Sequence, residues 1–552
     1  MKRFTRSWPK QTGLLIIAVV YSVGTAFAQG FSPQTQNKLQ QVLQSFTNDP
    51  SFVGGISASI NVDGLAEWNG ASGFAARNVD ANNNLLPGGS PFTTSTLSRI
   101  FSISKSFAAP LILELQQEGK LNLNDPVSNY IPLGAINPGL DASITLRQLL
   151  AHESGWSDFE YDELQFQLAI AFDPTHLWTP FEVLYFVHQV APKGSVRHYS
   201  STNYITLGAI AELVTGKTVA QLYRERFFTP LGLTSMYYDV VEHQPAGTVL
   251  AAPHENLSPF NPIFQLTGQP TFPNAYTNIS AFPYQGIGSA AGAGGAVISN
   301  ASDLAKWSNA LFNGRATGKA ILDTMLNSIY PNPDAQGDYL GYGIWKSTVM
   351  SEPQPPVFVG HNGNAPGYRS AMFYHPDKKY SVVVLTNYHG TDAYAIARAL
   401  VAALPEFTGG NPNRKEEKIM LCFNGNSITV DRNAAPGFIK KGAYLGGCEK
   451  SDAKAAVRED AVSPVLKANL EVSPNPSSGY VRISFEATET GPVALELYDA
   501  NGQLVRSVFK GNLQKGEVRM LGFEKGSLPA GVYVGYLKTK AGVTEKRIVL
   551  TK

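Results

Sequence analysis

Ile100-Phe101-Ser102-Ile103-Ser104-Lys105-Ser106-Phe107 places a serine and a lysine three residues apart at the expected start of a helix. On a helix such a spacing puts both side chains on one face. A hydroxyl becomes a competent nucleophile only when a neighbouring base takes its proton, and Lys105 is positioned to do so for Ser102. The amine must then be neutral, which requires its pKa to fall from about 10.4 toward 7, a bias of roughly 4 kcal/mol supplied by burial and the positive end of a helix. The same pair recurs at Ser7/Lys10, Ser451/Lys454 and Ser507/Lys510, so its meaning rests on what surrounds it.

Outward from that segment, the chain of 552 residues is long enough for two to four units. A formal charge of +1 gives no general attraction to nucleic acid or anionic membrane, and a small neutral or mixed-charge substrate fits better. Lys2, Arg3 and Arg6, an apolar run Leu14 to Val20 and the small-residue end Ala26-Phe27-Ala28 read as a signal peptide over 1–28, hence an exported protein without a stable membrane span. Cys422 and Cys448, the two cysteines, can pair in an oxidising compartment. No Cys/His cluster has metal-site spacing, so neither metal nor cofactor is expected.

Leu39, Val42, Leu43 and Phe46 mark one face of a helix over 33–47. Ile56 to Val62, the turn Asp63-Gly64 and Leu65 to Trp68 read as a hairpin. A helix runs from near Ser102 to Gly119 despite Pro110. Between Thr145 and Gly216 the pattern is helical and aromatic, with Phe159, Tyr161, Phe166, Trp178 and Tyr185 able to pack a core or wall a binding site. The Pro- and aromatic-rich stretch 252–285 reads as a surface excursion near a site. Gly292 to Leu304 turns a Gly-rich segment into a helix start at Ser302-Asp303. Strands are predicted at Tyr342 to Trp345, Ala371 to Tyr374 and Tyr380 to Leu385, and a helix over Gly390 to Leu404. Sheet-forming segments at both ends of 29–407 imply one α+β domain with an inserted helical part. Residues 408–450 form a Cys-bracketed small module and linker, 451–468 a flexible linker, and 469–552 a small all-β sandwich.

Acyl transfer needs a nucleophile, a base, a second proton carrier and paired donors for the oxyanion. His198-Tyr199-Ser200-Ser201-Thr202-Asn203 and Gly360-His361-Asn362-Gly363-Asn364 can complete such a set with Ser102 and Lys105. With Glu118 to Pro126, Leu149 to Gly155 and Gly294-Gly295, these stretches resemble the serine β-lactamase and penicillin-recognising hydrolase superfamily, in its class C β-lactamase, D,D-peptidase and esterase branch. The likeness covers roughly 35–405. It implies an antiparallel sheet flanked by helices with an inserted helical subdomain. It also implies Ser102 as acylated nucleophile, Lys105 as its base, and Tyr199 as proton carrier. Ser201, His361, Asn362, Gly363 and Asn364 become substrate and oxyanion residues, with the backbone N–H groups of Ser102 and Asn364 facing the oxyanion. Two departures stand out: Ser201 occupies a position where the family often has Asn, and His361 one where antibiotic-hydrolysing members have Lys. A neutral imidazole anchors a carboxylate less firmly than an ammonium.

Glu471 to Gly479, Leu497 to Gln503 and Leu528 to Tyr533 resemble the C-terminal sorting domain of type IX secretion substrates. That implies the type IX machinery as a partner and a location at the cell surface or in the medium, reached via the periplasm. Ile419 to Cys448 reads as a disulfide-clipped spacer or as a module of the kind found before such tails. The expectation is an exported serine hydrolase forming an acyl-enzyme on an ester, a D-amino-acid peptide or amide of peptidoglycan-like type, or a β-lactam. The competing reading is a surface binding protein that keeps the hydrolase fold with weakened catalysis, for which Ser201 is the hint.

Overall fold

The computed structural model describes residues 30–194, 198–331, 338–347, 350, 358–407 and 418–448, and in the C-terminal region 470–473, 480–487, 489–498, 504–515, 518–524, 528, 529, 531–540 and 542–550. The expected signal peptide and the linker 451–468 lie outside the described residues. The chain divides into two compact units, Met1–Glu449 and Lys450–Lys552.

The first unit opens with α1 (Pro33–Thr47), capped by Ser32, whose Oγ accepts from the Thr35 N–H at 3.1 Å. Its predicted face is the one that packs, with Leu39 and Leu43 fully buried and Val42 and Phe46 beside them. Next come the strands β1 (Gly55–Val62), β2 (Ala66–Val79), β3 (Leu85–Pro91), β4 (Tyr330–Pro331), β5 (Asp338–Leu340), β6 (Trp345–Ser347), β7 (Phe358–Ala365), β8 (Tyr368–His375) and β9 (Tyr380–Thr386). They form one antiparallel sheet in the order β3-β2-β1-β9-β8-β7-β6-β5-β4. Ile56 pairs with Thr386 and Val62 with Tyr380, so the chain's first strand lies against the last strand of the sheet.

The remaining helices named here are α2 (Lys105–Gln117), α3 (Leu164–Phe172), α4 (Pro180–Phe186), α5 (Ser201–Thr215), α6 (Asn261–Thr267), α7 (Gln285–Gly295), α8 (Ala301–Phe312) and α9 (Ala393–Ala402). Strand β9 explains the layering. Val382 and Val384 pack with Leu39, Ile396 and Leu400 of α1 and α9, whereas Val383 and Leu385 pack with Phe107, Leu304 and Trp307 of α2 and α8. A strand covered on both faces reads as a continuous apolar run instead of alternating, as Tyr380 to Leu385 does.

Two local expectations shift. Gly292 kinks α7 with φ +45° and ψ −145°, and α8 begins at Ala301 behind an Asn300 cap whose side chain accepts from the Asp303 N–H at 2.8 Å. Tyr342 to Ile344 precede β6 and are not strand, because Gly343 turns there with φ +67°. Pro110 sits in the second turn of α2 and removes one hydrogen bond, the one that would return to Ser106.

The boundary expected at 407/408 does not separate two packed bodies. Strands Lys418–Phe423, Asn426–Asp431 and Tyr444–Leu445 make a small sheet whose Ile419, Leu421 and Leu445 share a core with Leu39 and Trp68. The Leu445 N–H donates to Gly30 O at 2.7 Å, and the Met420 N–H to Phe407 O at 2.9 Å. The module therefore belongs to the outer layer of the first unit and is more than a spacer. Cys422 and Cys448 are disulfide-bonded, as expected.

In the second unit, a three-stranded and a four-stranded antiparallel sheet share one core built on Val481, Ile483, Leu495, Leu497, Leu537 and Ile548. This matches the small all-β sandwich read from alternation.

Closing a loop of 26 residues by a disulfide contributes about 3 kcal/mol on the chain-entropy model. The double substitution Cys422→Ser/Cys448→Ser is expected to lower the denaturant midpoint of the first unit and to speed amide exchange in 418–448 ahead of β9. Equal exchange in both proteins would contradict the packing role assigned to the module.

Candidate active site

Ser102 lies in a 3₁₀ turn, Phe101–Ser104, that runs straight into α2, so Ser102 and Lys105 share one turn. Phe101 immediately before it has φ +45°, a conformation that costs a non-glycine residue about 1–3 kcal/mol. Its ring is held against Tyr284 and Tyr368, with centroids 6.3 and 6.0 Å away. Backbone strain is thus stored beside the serine and offset by aromatic packing.

Lys105 is fully buried. Its Nζ donates to Ser102 Oγ at 3.1 Å, Ser201 Oγ at 3.2 Å and Gly294 O at 2.9 Å. An ammonium has three donors, and each finds an oxygen. Burial drives the Lys105 pKa down to about 8, against the opposing pull of Glu160 and Asp158. Three remote segments meet here because α5 and α7 approach closely: a Cβ on Gly208 would lie 2.6 Å from that of Ala293. A larger residue at 208 would push Gly294 away from the amine.

Tyr199 precedes α5 and is stacked on His152 at 4.6 Å between centroids. His152 adopts φ +57° and accepts the Ser200 N–H on Nδ1 at 3.0 Å, so it fixes the loop that carries the tyrosine. The Tyr199 phenol hydrogen-bonds with Ser102, and Lys105 Nζ lies 5.0 Å from its ring centroid. Burial raises its pKa well above 10, so the phenol stays protonated at neutral pH.

Ser201 opens α5, whose N-cap, Ser200, makes no side-chain cap bond. The cap comes from another segment: Asp158 Oδ2 accepts the Ser201 N–H at 2.9 Å. Asn203 is engaged elsewhere, accepting from Ser154 Oγ at 2.7 Å, and leaves the position facing Lys105 to Ser201. Asp158 Oδ1 also accepts the Glu160 N–H at 2.9 Å. Glu160 in turn has its pKa raised by burial and by Asp158, while Lys105 and a hydrogen bond from Ser201 oppose the rise.

Strand β7 carries His361, Asn362, Gly363 and Asn364 past the serine turn. Gly363 is required there, since a Cβ would fall 2.1 Å from Ile100 O and 2.3 Å from Ser370 Oγ. His361 corrects the expectation that it meets substrate. Its Nε2 accepts from Trp345 Nε1–H at 2.7 Å and its Nδ1–H donates to Asn362 O at 2.6 Å, which engages both ring nitrogens. Burial, with Lys105 nearby, lowers its pKa to about 3, so it is a neutral structural group. Asn364 Oδ1 bonds with His389 Nε2 at 2.9 Å, and Asn364 O lies 3.5 Å from the Tyr161 hydroxyl.

Beside this set lies a cavity of about 360 Å³ walled by Phe101, Phe166, Phe260 and Phe264, with Glu160 and Asn364 at its polar edge. The aromatic segment and the 252–285 excursion thus serve as core and cavity wall together. Asp158, Glu160, Trp345 and His389 escaped the sequence reading. Trp345 reads only as the end of a strand and the other three sit in no periodic or motif context, so only convergence in space marks them.

The region 53–405 matches the Beta-lactamase family model, and 471–551 matches the secretion system C-terminal sorting domain. The chain belongs to the β-lactamase family of serine hydrolases, and its tail directs export by type IX secretion to the cell surface or medium. Among the described residues no helix is long and apolar enough to cross a membrane. A D-stereospecific amidohydrolase from Streptomyces sp. is 26% identical, with TM-score 0.53 over 67% of this chain and 99% of that one. The D-amino acid amidase of Ochrobactrum anthropi SV3, solved with L-phenylalanine amide, is 25% identical, with TM-score 0.53 over 67% and 98%. Protein flp of Staphylococcus aureus is 25% identical over 321 residues, 57% of this chain and 56% of its own length.

The strand fit makes a sharp expectation. Gly363→Ala must displace either Ile100 or β7, at about 1–3 kcal/mol for an overpacked site. A lowered melting temperature together with loss of Ser102 reactivity is the expected outcome; unchanged reactivity would contradict the close approach.

Proposed function

We propose that the protein hydrolyses an ester or a D-amino-acid amide or peptide through an acyl-enzyme on Ser102. The observation that carries this reading is the buried Lys105 amine, which bridges the Ser102 and Ser201 hydroxyls with a depressed pKa. Ser102 Oγ attacks the carbonyl carbon while its proton passes to neutral Lys105. The N–H groups of Ser102 and Asn364 receive the oxyanion, each such donor contributing about 3 kcal/mol. Tyr199, protonated at rest, hands its proton to the departing amine or alcohol and regains one from Lys105. Water then attacks the acyl carbon as its proton passes to Lys105, the C–Oγ bond breaks, Lys105 returns that proton to Ser102 Oγ, and the acid is released.

The cavity supports an acyl group with a bulky apolar side chain. Glu160 at its edge has its pKa pushed up to about 8 by burial and Asp158, so it is mostly a neutral acid at pH 7, and a free α-ammonium on the substrate would draw it into the ionised form. The amidase relatives act on compounds of that shape by their names. The fully engaged, neutral His361 counts against a β-lactam, whose carboxylate would find no cation at that position. Ser201 does not favour the binding-protein reading, because its hydroxyl still accepts from Lys105.

A fluorophosphonate is expected to label the protein at Ser102, and Ser102→Ala to abolish the label and lower turnover of p-nitrophenyl esters or D-phenylalanine amide by at least ~10⁴-fold. Labelling that persists in Ser102→Ala would sink the assignment.

The pH dependence follows from the base. Proton transfer needs neutral Lys105, and that fraction grows as pH rises through its pKa of about 8. The rate kcat/KM should therefore climb from pH 6 to a plateau above about 9, measured with a neutral ester. A profile flat across that range would exclude Lys105 as the base.

A further inference from the structure

The cavity wall carries one guanidinium. Arg369 on β8 is paired across the strands with Asn364 on β7, so both side chains stand on the same face of the sheet. Arg369 Nε donates to His389 O at 3.1 Å. Among the described residues its two terminal nitrogens hydrogen-bond no protein group, although the side chain lines a cavity dominated by phenylalanines. Glu255, the acid that could neutralise it, is taken up by an ion pair with His389 and by the Gly367 N–H at 3.1 Å. Burial lowers the Arg369 pKa, and Tyr161, Glu255, Tyr276 and Asp392 oppose that shift only through space, with no hydrogen bond to the guanidinium.

We infer that Arg369 binds a carboxylate carried by the substrate, so that the preferred substrate joins an apolar acyl group to a free acid. A guanidinium presents two parallel N–H donors that match a carboxylate, and a partly desolvated pair of this kind discriminates strongly against a neutral isostere. The position differs from that of His361: residues 361 and 364 are three strand steps apart, about 10 Å. The anion is therefore recognised at the far end of β7, with Glu160 on a separate loop able to take a cationic group. The inference rests on the reading that this cavity receives the substrate of Ser102.

Two matched pairs distinguish where the acid sits. D-phenylalanyl-β-alanine against its amide tests the leaving group, and 4-carboxy-D-phenylalanine amide against D-phenylalanine amide tests the acyl side chain. Binding measured by calorimetry on Ser102→Ala needs no turnover. In one of the pairs the carboxylate member should bind at least tenfold tighter than the neutral one. Arg369→Gln should erase that ratio, and Arg369→Lys should restore part of it. Equal affinities within both pairs, or a ratio untouched by Arg369→Gln, would overturn the inference. A merely structural role for Arg369 would weaken both members alike and leave the ratio intact, which also overturns it. Fluorophosphonate labelling, which requires no carboxylate, tests the hydrolase reading separately: label retained without any carboxylate preference removes only the role of Arg369.

Discussion

The site depends on keeping one amine dry. Moving an ammonium out of water is unfavourable by several kcal/mol unless oxygens replace its hydration shell. Lys105 meets that demand with three acceptors, two of them hydroxyls and one a backbone carbonyl, supplied by residues 102, 201 and 294. The same burial that imposes the demand makes the neutral form accessible near physiological pH. Stability and reactivity at this position therefore have a common origin. The small residues between α5 and α7 follow from it, since Gly294 can reach the amine only while Gly208 and Ala293 stay in contact.

Around the amine the charges are arranged asymmetrically. Asp158 is doubly engaged, capping α5 and holding the Glu160 N–H, and acts on Lys105 only through space. Glu160 lies at the edge of the cavity, where burial and Asp158 keep it mostly a neutral acid at pH 7. On the opposite strand His361 is neutralised by burial and tied to Trp345, which leaves Arg369 as a cation facing the cavity among the described residues.

The additions to the hydrolase fold suit an exported protein. The disulfide is at home in an oxidising compartment. The module it closes extends the core under α1 by burying Ile419 and Leu421 beside Leu39. The sorting unit has its own core and strands, and so folds as a separate body with its own apolar interior.

Local periodicity made much of this legible. Helix 33–47, the hairpin after Gly55, the doubly buried run Tyr380 to Leu385 and the Ser102–Lys105 pair all follow from repeats of 3.6 or 2 residues and from turn chemistry, properties of neighbours along the chain. The Gly-rich segment at 292–295 gave only part of the answer: Gly292 breaks the helical path with φ +45°, while packing against α5 sets how closely the turns on either side approach Lys105. Residue types and order were enough to determine the family, the export route and the cysteine pairing, and to single out the Ser102–Lys105 pair. The tertiary structure alone decided that Ser201 Oγ meets the Lys105 amine, that His361 is engaged on both nitrogens, and that Glu160, His389 and Arg369 converge on one cavity. The reason is physical: desolvation and hydrogen-bond geometry depend on which distant loops exclude water together, and no spacing along the chain encodes that.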